Sequence, residues 1–214
     1  GIIDRLDHLV WLGVDAVWLS PVFASPMADF GYDISDFCAI DPTFGTLADL
    51  DELIDECHRR GLRLLLDWVP NHTSDQHPWF VESRSSRTNP RADWYVWRDE
   101  PANNWHASFP RGDTAWQFDP VRGQYYLRCF TPEQADLNWD VPAVEAAMLD
   151  TLRFWLDRGV DGFRMDVVHL IGKDIDRDDP PAAAAKAWSH VPFNDVEVTH
   201  ERLRRIRDRK STRL

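Results

Sequence analysis

The sequence predicts an α/β fold in which helices cover a parallel sheet, and three observations predict it. Three segments each begin with a glycine and run directly into an apolar stretch: Gly13-Val14-Asp15-Ala16-Val17-Trp18-Leu19, Gly61-Leu62-Arg63-Leu64-Leu65-Leu66-Asp67 and Gly159-Val160-Asp161-Gly162-Phe163-Arg164-Met165-Asp166. Each glycine follows a run with helical spacing. The apolar runs are near-continuous rather than alternating, as expected of strands covered on both faces, and parallel neighbours need a crossover that a helix supplies.

In chain order, Ile2, Leu6, Leu9 and Val10 form the first helical face, and Gly13 is its expected C-terminal stop. Leu47, Leu50, Leu53, Ile54 and Cys57 form the second, with Thr46 and Asp49 placed as a capping pair and Gly61 as the stop. Val144, Ala147, Met148, Thr151, Leu152 and Trp155 form the third, ahead of Gly159. Gly13 and Gly61 are 48 residues apart, whereas Gly61 and Gly159 are 98 apart. The surplus lies between Asn71 and Pro142, is rich in Pro and Trp, and shows no helical period of useful length. Within it, residues 115–118 and 124–127 predict a short hairpin. Long ordered insertions after a strand are usually functional, so this one is expected to be a small irregular subdomain beside the strand C-termini. The expected division is 1–72 and 141–209 for the main unit and 73–140 for the insertion. After Lys173 the chain reads as loop through Pro180-Pro181 and as helix over 198–209; residues 210–214 match no element and read as a non-native tail.

The 214 residues carry a net charge of −12 and 43% hydrophobic side chains, enough for a substantial core and against disorder. The acidic balance argues against a nucleic-acid partner, and no apolar run approaches the roughly 18 residues of a membrane helix. The opening Gly1-Ile2-Ile3-Asp4 has neither an initiator Met nor a signal layout and reads as the edge of a piece from a longer protein. Three cysteines without metal-type spacing predict reduced thiols in a cytoplasmic protein. The 11 tryptophans suit a cleft where flat apolar faces meet a polar ligand, although a Trp-rich stretch by itself is more often core.

Polar groups end each strand. In the last, Gly162, Arg164 and Asp166 alternate onto one face, with Phe163, Met165 and Val167 on the other. A carboxylate beside a fixed guanidinium is held ionised and can act as a nucleophile. Taken alone, such a pair is more often a structural ion pair, and Asp67 with His72 serves equally as a loop network. Metal binding finds no support: Asp67 and His72 are five positions apart across a proline, and no His-x-His or paired-carboxylate spacing occurs there.

Asp67-Trp68-Val69-Pro70-Asn71-His72, Gln134-Ala135-Asp136-Leu137-Asn138 and Gly162-Phe163-Arg164-Met165-Asp166-Val167 resemble three motifs of the α-amylase superfamily of glycoside hydrolases, in that family's order. Ser20-Pro21-Val22-Phe23 followed by Asp29-Phe30-Gly31-Tyr32-Asp33 resembles the second-strand region of its α-glucosidase and oligo-1,6-glucosidase branch, to which the QADLN segment also points. Each motif alone is weak, but their conjunction is specific. The resemblance implies a partial (β/α)8 TIM barrel containing strands two to four, with an irregular subdomain inserted after the third and an active site at the strand C-termini. Without their neighbours, such strands are expected to leave inward residues including Leu65 and Val160 uncovered.

By the same resemblance, Asp166 matches the nucleophile of a retaining mechanism and Arg164 the group that orients it. Asp29, Tyr32, Asp67 and His72 match residues that grip the terminal glucose: the carboxylates accept from hydroxyls, His72 donates to one, and Tyr32 offers a flat face. The family's general acid, a Glu after strand five, and its stabilising Asp after strand seven fall beyond this chain, as does a metal-binding loop at the first strand. The implied activity is retaining, exo-acting α-glucosidase action on oligosaccharides without cofactor or metal, with this segment inactive alone. Alternatives are a glucosyl transferase or isomerase such as trehalose synthase, or a non-catalytic superfamily partner of membrane transporters. Val167, directly after the matched nucleophile, leans toward α-1,6 bonds within this branch, or simply packs against the helix layer.

Overall fold

The computed structural model describes residues 1–110, 112–178 and 197–211. A 3-10 turn (Ile3–Arg5) leads into α1 (Leu6–Trp11), followed by β1 (Ala16–Trp18), β2 (Phe23–Ala24), β3 (Asp36–Ile40), α2 (Leu47–Arg59) and β4 (Arg63–Trp68). Then come β5 (His72–Ser74), α3 (Pro78–Ser85), β6 (Trp97–Arg98), β7 (Trp116–Asp119), β8 (Gln124–Leu127) and β9 (Gln134–Asp136). The chain continues through α4 (Pro142–Asp157), β10 (Gly162–Met165), a 3-10 turn (Val168–Leu170) and α5 (Glu197–Ser211).

The three helix stops share one geometry. Gly13, Gly61 and Gly159 have φ of 76°, 74° and 103°, a region that glycine enters without a Cβ penalty. In each, the glycine N–H returns to the carbonyl three residues back and the next N–H to the carbonyl five back, as in Leu62 to Cys57 at 2.9 Å and Val160 to Trp155 at 3.1 Å. The motif satisfies the last helical carbonyls while aiming the chain into the following strand. At the start of α2, Thr46 and Asp49 form the expected reciprocal capping box.

The strands so launched form one parallel sheet in the order β1-β4-β10. Trp18 and Gly162 both align with Leu65, and Arg164 aligns with Asp67. Because side chains alternate, Trp18, Leu65, Asp67 and Arg164 share one face. Leu64, Leu66 and Trp68, wholly buried, point the other way into a core with α2 and α4. Trp68 Nε1 donates there to Thr151 Oγ1 at 3.0 Å, and Trp155 Nε1 donates to the Phe37 carbonyl at 2.8 Å.

Several expectations need correcting. Val160 is buried at 3% exposure, because it lies at the foot of β10 against α4; Leu65 is half-buried. The stretch after Asn71 does contain a helix, α3, whose apolar periodicity is weak; His77 caps it by accepting from Trp79 N–H, and Pro78 presets its first turn. The hairpin forms as β7 and β8, displaced by one residue at its first strand. α5 includes Lys210 and Ser211, so the final helix outlasts residue 209; residues 212–214 and the expected loop at Pro180-Pro181 lie outside the described residues. The tryptophans are chiefly structural: Trp97, Trp105, Trp116 and Trp139, like Trp68 and Trp155, are buried with their indole N–H groups bonded inside the chain. Finally, alternation stops at Val167, which adopts φ 37° and packs with Trp105, Trp116 and Leu170 instead of the helix layer.

Candidate active site

Asp166 stands one residue past β10, yet its N–H still donates to the Trp68 carbonyl at 2.8 Å, so the parallel ladder fixes its backbone. Arg164 Nη1 lies 2.6 Å from Asp166 Oδ1 and 2.9 Å from Asp67 Oδ2. One guanidinium therefore joins two carboxylates brought from adjacent strands by register alone. Burial pushes the Asp67 carboxyl up to about 6, against the Arg164 charge and the hydrogen bonds from Arg164 Nη1, which lower it. Burial opposes the charge on Arg164 as well, but the adjoining Asp166 and Asp67 carboxylates hold the guanidinium above its ordinary value.

The loop between β2 and β3 carries Asp29 and Tyr32. Its hub is the buried Asp33, whose carboxylate accepts from Asp29 N–H at 2.9 Å, Ala28 N–H at 2.9 Å and Ser25 Oγ at 3.0 Å. Gly31 closes the turn at φ 98°, where a Cβ would stand 3.1 Å from Pro21 Cβ and 3.3 Å from its carbonyl oxygen, so a larger residue would push the turn outward. The turn presents Tyr32 half-buried with its ring 5.9 Å from the Arg164 guanidinium carbon. Asp29 Oδ2 accepts from Gln134 Nε2 at 3.0 Å.

His72, on β5, is buried, and burial drives its pKa down, keeping the ring neutral. Gln134 Nε2 lies 3.0 Å from its Nε2, and Asn71 Nδ2 lies 3.1 Å from its Nδ1. The far ends of both amides are fixed: Gln134 Oε1 accepts from Thr131, and Asn71 Oδ1 accepts from Lys173 Nζ at 2.7 Å. A neutral imidazole accepts at only one nitrogen, so its N–H faces an amide nitrogen that cannot receive it. Below this row, the Lys173 side chain is covered, with its ammonium 3.2 Å from Asp136 Oδ2, and Asp136 Oδ1 accepts from Asn71 Nδ2 and Cys129 N–H. That ammonium fills the oxygen cluster where a cation would otherwise be needed. Among the described residues no group of three or more His, Cys, Asp or Glu is arranged to hold a metal.

The fold thus joins the six site residues expected from the sequence in two linked rows: Asp67, Arg164, Asp166 and Tyr32 in one, and Asp29 and His72 bridged by Gln134 in the other. Sequence reasoning did not single out Trp18, Asn71, Gln134, Asp136 or Lys173. All but Trp18 and Lys173 fall inside quoted motifs, whereas Lys173 carries only the weak signal of a lone lysine after a strand.

The family model described as "Alpha amylase, catalytic domain" matches residues 1–213. A probable alpha-glucosidase of Rhizobium meliloti (strain 1021) is 51% identical over 215 residues, covering 95% of this chain and 39% of that protein. An oligo-1,6-glucosidase of Parageobacillus thermoglucosidasius is 49% identical over 194 residues, covering 88% of this chain and 34% of the relative. The crystal structure of the alpha-glucosyl transfer enzyme XgtA superposes with a TM-score of 0.93 at 47% identity, covering 99% of this chain and 43% of that one. The chain spans well under half the length of the proteins it matches. With the sheet, the two-carboxylate clamp and these likenesses in agreement across almost every residue, the chain belongs to the alpha-amylase catalytic-domain family.

Proposed function

We infer that this chain is the nucleophile-bearing part of a retaining, exo-acting α-glucosidase of the oligo-1,6-glucosidase type, which releases terminal α-linked glucose from oligosaccharides. The observation that carries this reading is Asp166 at the strand end, held by Arg164 at 2.6 Å. Asp166 attacks the anomeric carbon and forms a glycosyl-enzyme, which water then hydrolyses; a second carboxyl group from outside this chain protonates the departing oxygen. Asp67, Asp29 and His72 bind hydroxyls of the terminal glucose, and the His72 N–H that finds no acceptor beside it supplies a donor. Tyr32 flanks the ring.

In this reading the sheet forms strands two to four of a (β/α)8 barrel and residues 73–140 are a subdomain inserted after the third, set beside the strand C-termini. Three cysteines outside any disulfide support a cytoplasmic setting. Among the described residues no helix is long and apolar enough to cross a membrane. Glucosyl transfer is the second reading, favoured by the likeness to XgtA: both outcomes use the same glycosyl-enzyme and differ in whether water or a sugar hydroxyl accepts it.

Asp166→Asn in the full-length protein is expected to remove nearly all turnover with the fold retained, since the amide is nearly isosteric but carries no charge. A loss below about a hundredfold, small beside enzymatic rate enhancements, overturns the nucleophile assignment. Val167 sets the finer lean toward α-1,6 bonds. Isomaltose is expected to be cleaved better than maltose, and a strong maltose preference rejects it.

A further inference from the structure

We propose that Lys173 is a positioning residue for His72: acting through Asn71, it places the imidazole proton on Nε2, the nitrogen on the Gln134 side of the ring, where His72 donates to the sugar. This rests on the proposed role of His72 in binding the terminal glucose. Lys173 Nζ lies 2.7 Å from Asn71 Oδ1, 2.5 Å from the Leu170 carbonyl and 3.2 Å from Asp136 Oδ2. An ammonium only donates, so the Asn71 atom against it is the amide oxygen. At the other end of that amide, Nδ2 donates to Asp136 Oδ1 at 3.1 Å, and an ionised carboxylate only accepts. Both neighbours therefore fix the same orientation. Turned over, the amide would set nitrogen against ammonium and oxygen against carboxylate. The second N–H of Asn71 Nδ2 meets His72 Nδ1 at 3.1 Å, so Nδ1 accepts and the single proton of the neutral ring sits on Nε2.

At Nε2 the ring meets Gln134 Nε2 at 3.0 Å, so two donors compete for a ring that accepts from one. Gln134 is anchored by Thr131 N–H on its oxygen and by Asp29 on its nitrogen, and both of those residues are half-buried. Asn71 is held by an ion at each end, with Asn71 and Asp136 buried and the Lys173 side chain 5% exposed. Charge-assisted bonds in such a place are the stronger, so Asn71 prevails and Gln134 yields. The charged groups around the ring are Asp136 from β9, Lys173 after the turn Val168–Leu170, Asp29 from the loop between β2 and β3, and Asp166 at the end of β10. Without the ammonium, Asp136 loses its cation and the Asn71 amide is released. His72 Nδ1 then takes a proton, as the opposite tautomer or as imidazolium beside the unpaired carboxylate.

The test is made in the full-length protein with isotope-labelled histidine, because nitrogen NMR tells a protonated ring nitrogen from a bare one. His72 resonances are identified by their loss in H72A. The parent is expected to show Nε2 protonated and Nδ1 bare; a proton on Nδ1 overturns the proposal. In K173M, Nδ1 is expected to become protonated and kcat/KM to fall about tenfold or more, as expected for one lost buried hydrogen bond. A bare Nδ1 in K173M overturns it. Added to H72A, K173M is expected to change kcat/KM by less than about twofold further, since its effect runs through the ring; an equal loss in both backgrounds makes Lys173 a fold element only and overturns the proposal. Should K173M fail to fold, N71D decides: a carboxylate there can only accept, so Nδ1 must take a proton, and a bare Nδ1 rejects control through position 71. The proton is read in the resting protein, so the two ideas separate. Retained activity in D166N defeats the proposed function, whereas an inactive D166N beside a parent protonated at Nδ1 defeats only the inference about Lys173.

Discussion

At His72 the physical argument turns on proton count. The ring is buried and neutral, with an amide nitrogen on each side, so one of its hydrogens is directed at a group that cannot accept it. An unsatisfied buried donor costs free energy that a substrate hydroxyl can recover, and the gain is largest if that bond tightens as the sugar ring flattens. His72→Ala in the full-length protein is accordingly expected to lower kcat together with affinity. A rise in KM with kcat unchanged identifies a uniform binding contact instead. The same logic separates Asp67 from Asp166: both touch Arg164, but only Asp67 is sealed from solvent, with a side-chain exposure of 0% against 12%.

Among the elements, α3 shows how local chemistry replaces periodicity. Its apolar spacing is poor, and its start is set by His77, whose Nδ1 accepts from Trp79 N–H at 3.1 Å while the ring packs against Phe37 and Trp79. Burial, helped by the Arg91 charge, lowers the His77 pKa from 6.5 to about 3. A histidine whose folded pKa is depressed contributes stability that is complete above the unfolded value of 6.5 and is lost progressively as pH falls toward about 3. Melting temperature is therefore expected to drop on acidification through that window, and His77→Asn, which caps without titrating, is expected to flatten the drop. His72, shifted in the same direction by its own burial, leaves a residual slope. A variant as acid-sensitive as the parent rejects the assignment to His77.

For the whole molecule, the parallel sheet has three strands. Among the described residues β1 and β10 each pair with β4 alone, which leaves each of them an outer edge. Trp18 is exposed on the face that carries Asp67 and Arg164, and an apolar groove of about 300 Å³ lined by Leu149, Leu152, Phe163, Met165 and Ile206 opens on the helix side. These 214 residues produced alone are expected to aggregate or fold loosely and to show no α-glucosidase activity, lacking a proton donor whose contribution is about 10² to 10⁴ in rate. Gel filtration, thermal melting and a p-nitrophenyl α-glucoside assay beside the full-length protein check this. A monodisperse, cooperatively melting and active product contradicts it.

The sequence by itself determined what depends on near neighbours along the chain. The three glycine stops, the Thr46–Asp49 cap, the helical faces and the alternation that puts Arg164 and Asp166 together all follow from local backbone geometry, and the motif order pointed to the family. Only the tertiary structure decided the rest. The register that aligns Arg164 with Asp67, the packing of Val167 against the cluster of Trp105 and Trp116, the Gln134 bridge between Asp29 and His72, and the Lys173 ammonium among buried oxygens each join residues far apart in the chain. Their spacing in the sequence carries no signal of the contact. Composition left the tryptophans two places, cleft or core, and the structure puts Trp68, Trp97, Trp105, Trp116, Trp139 and Trp155 in the core, because large rings with one donor fit wherever packed elements offer a single acceptor.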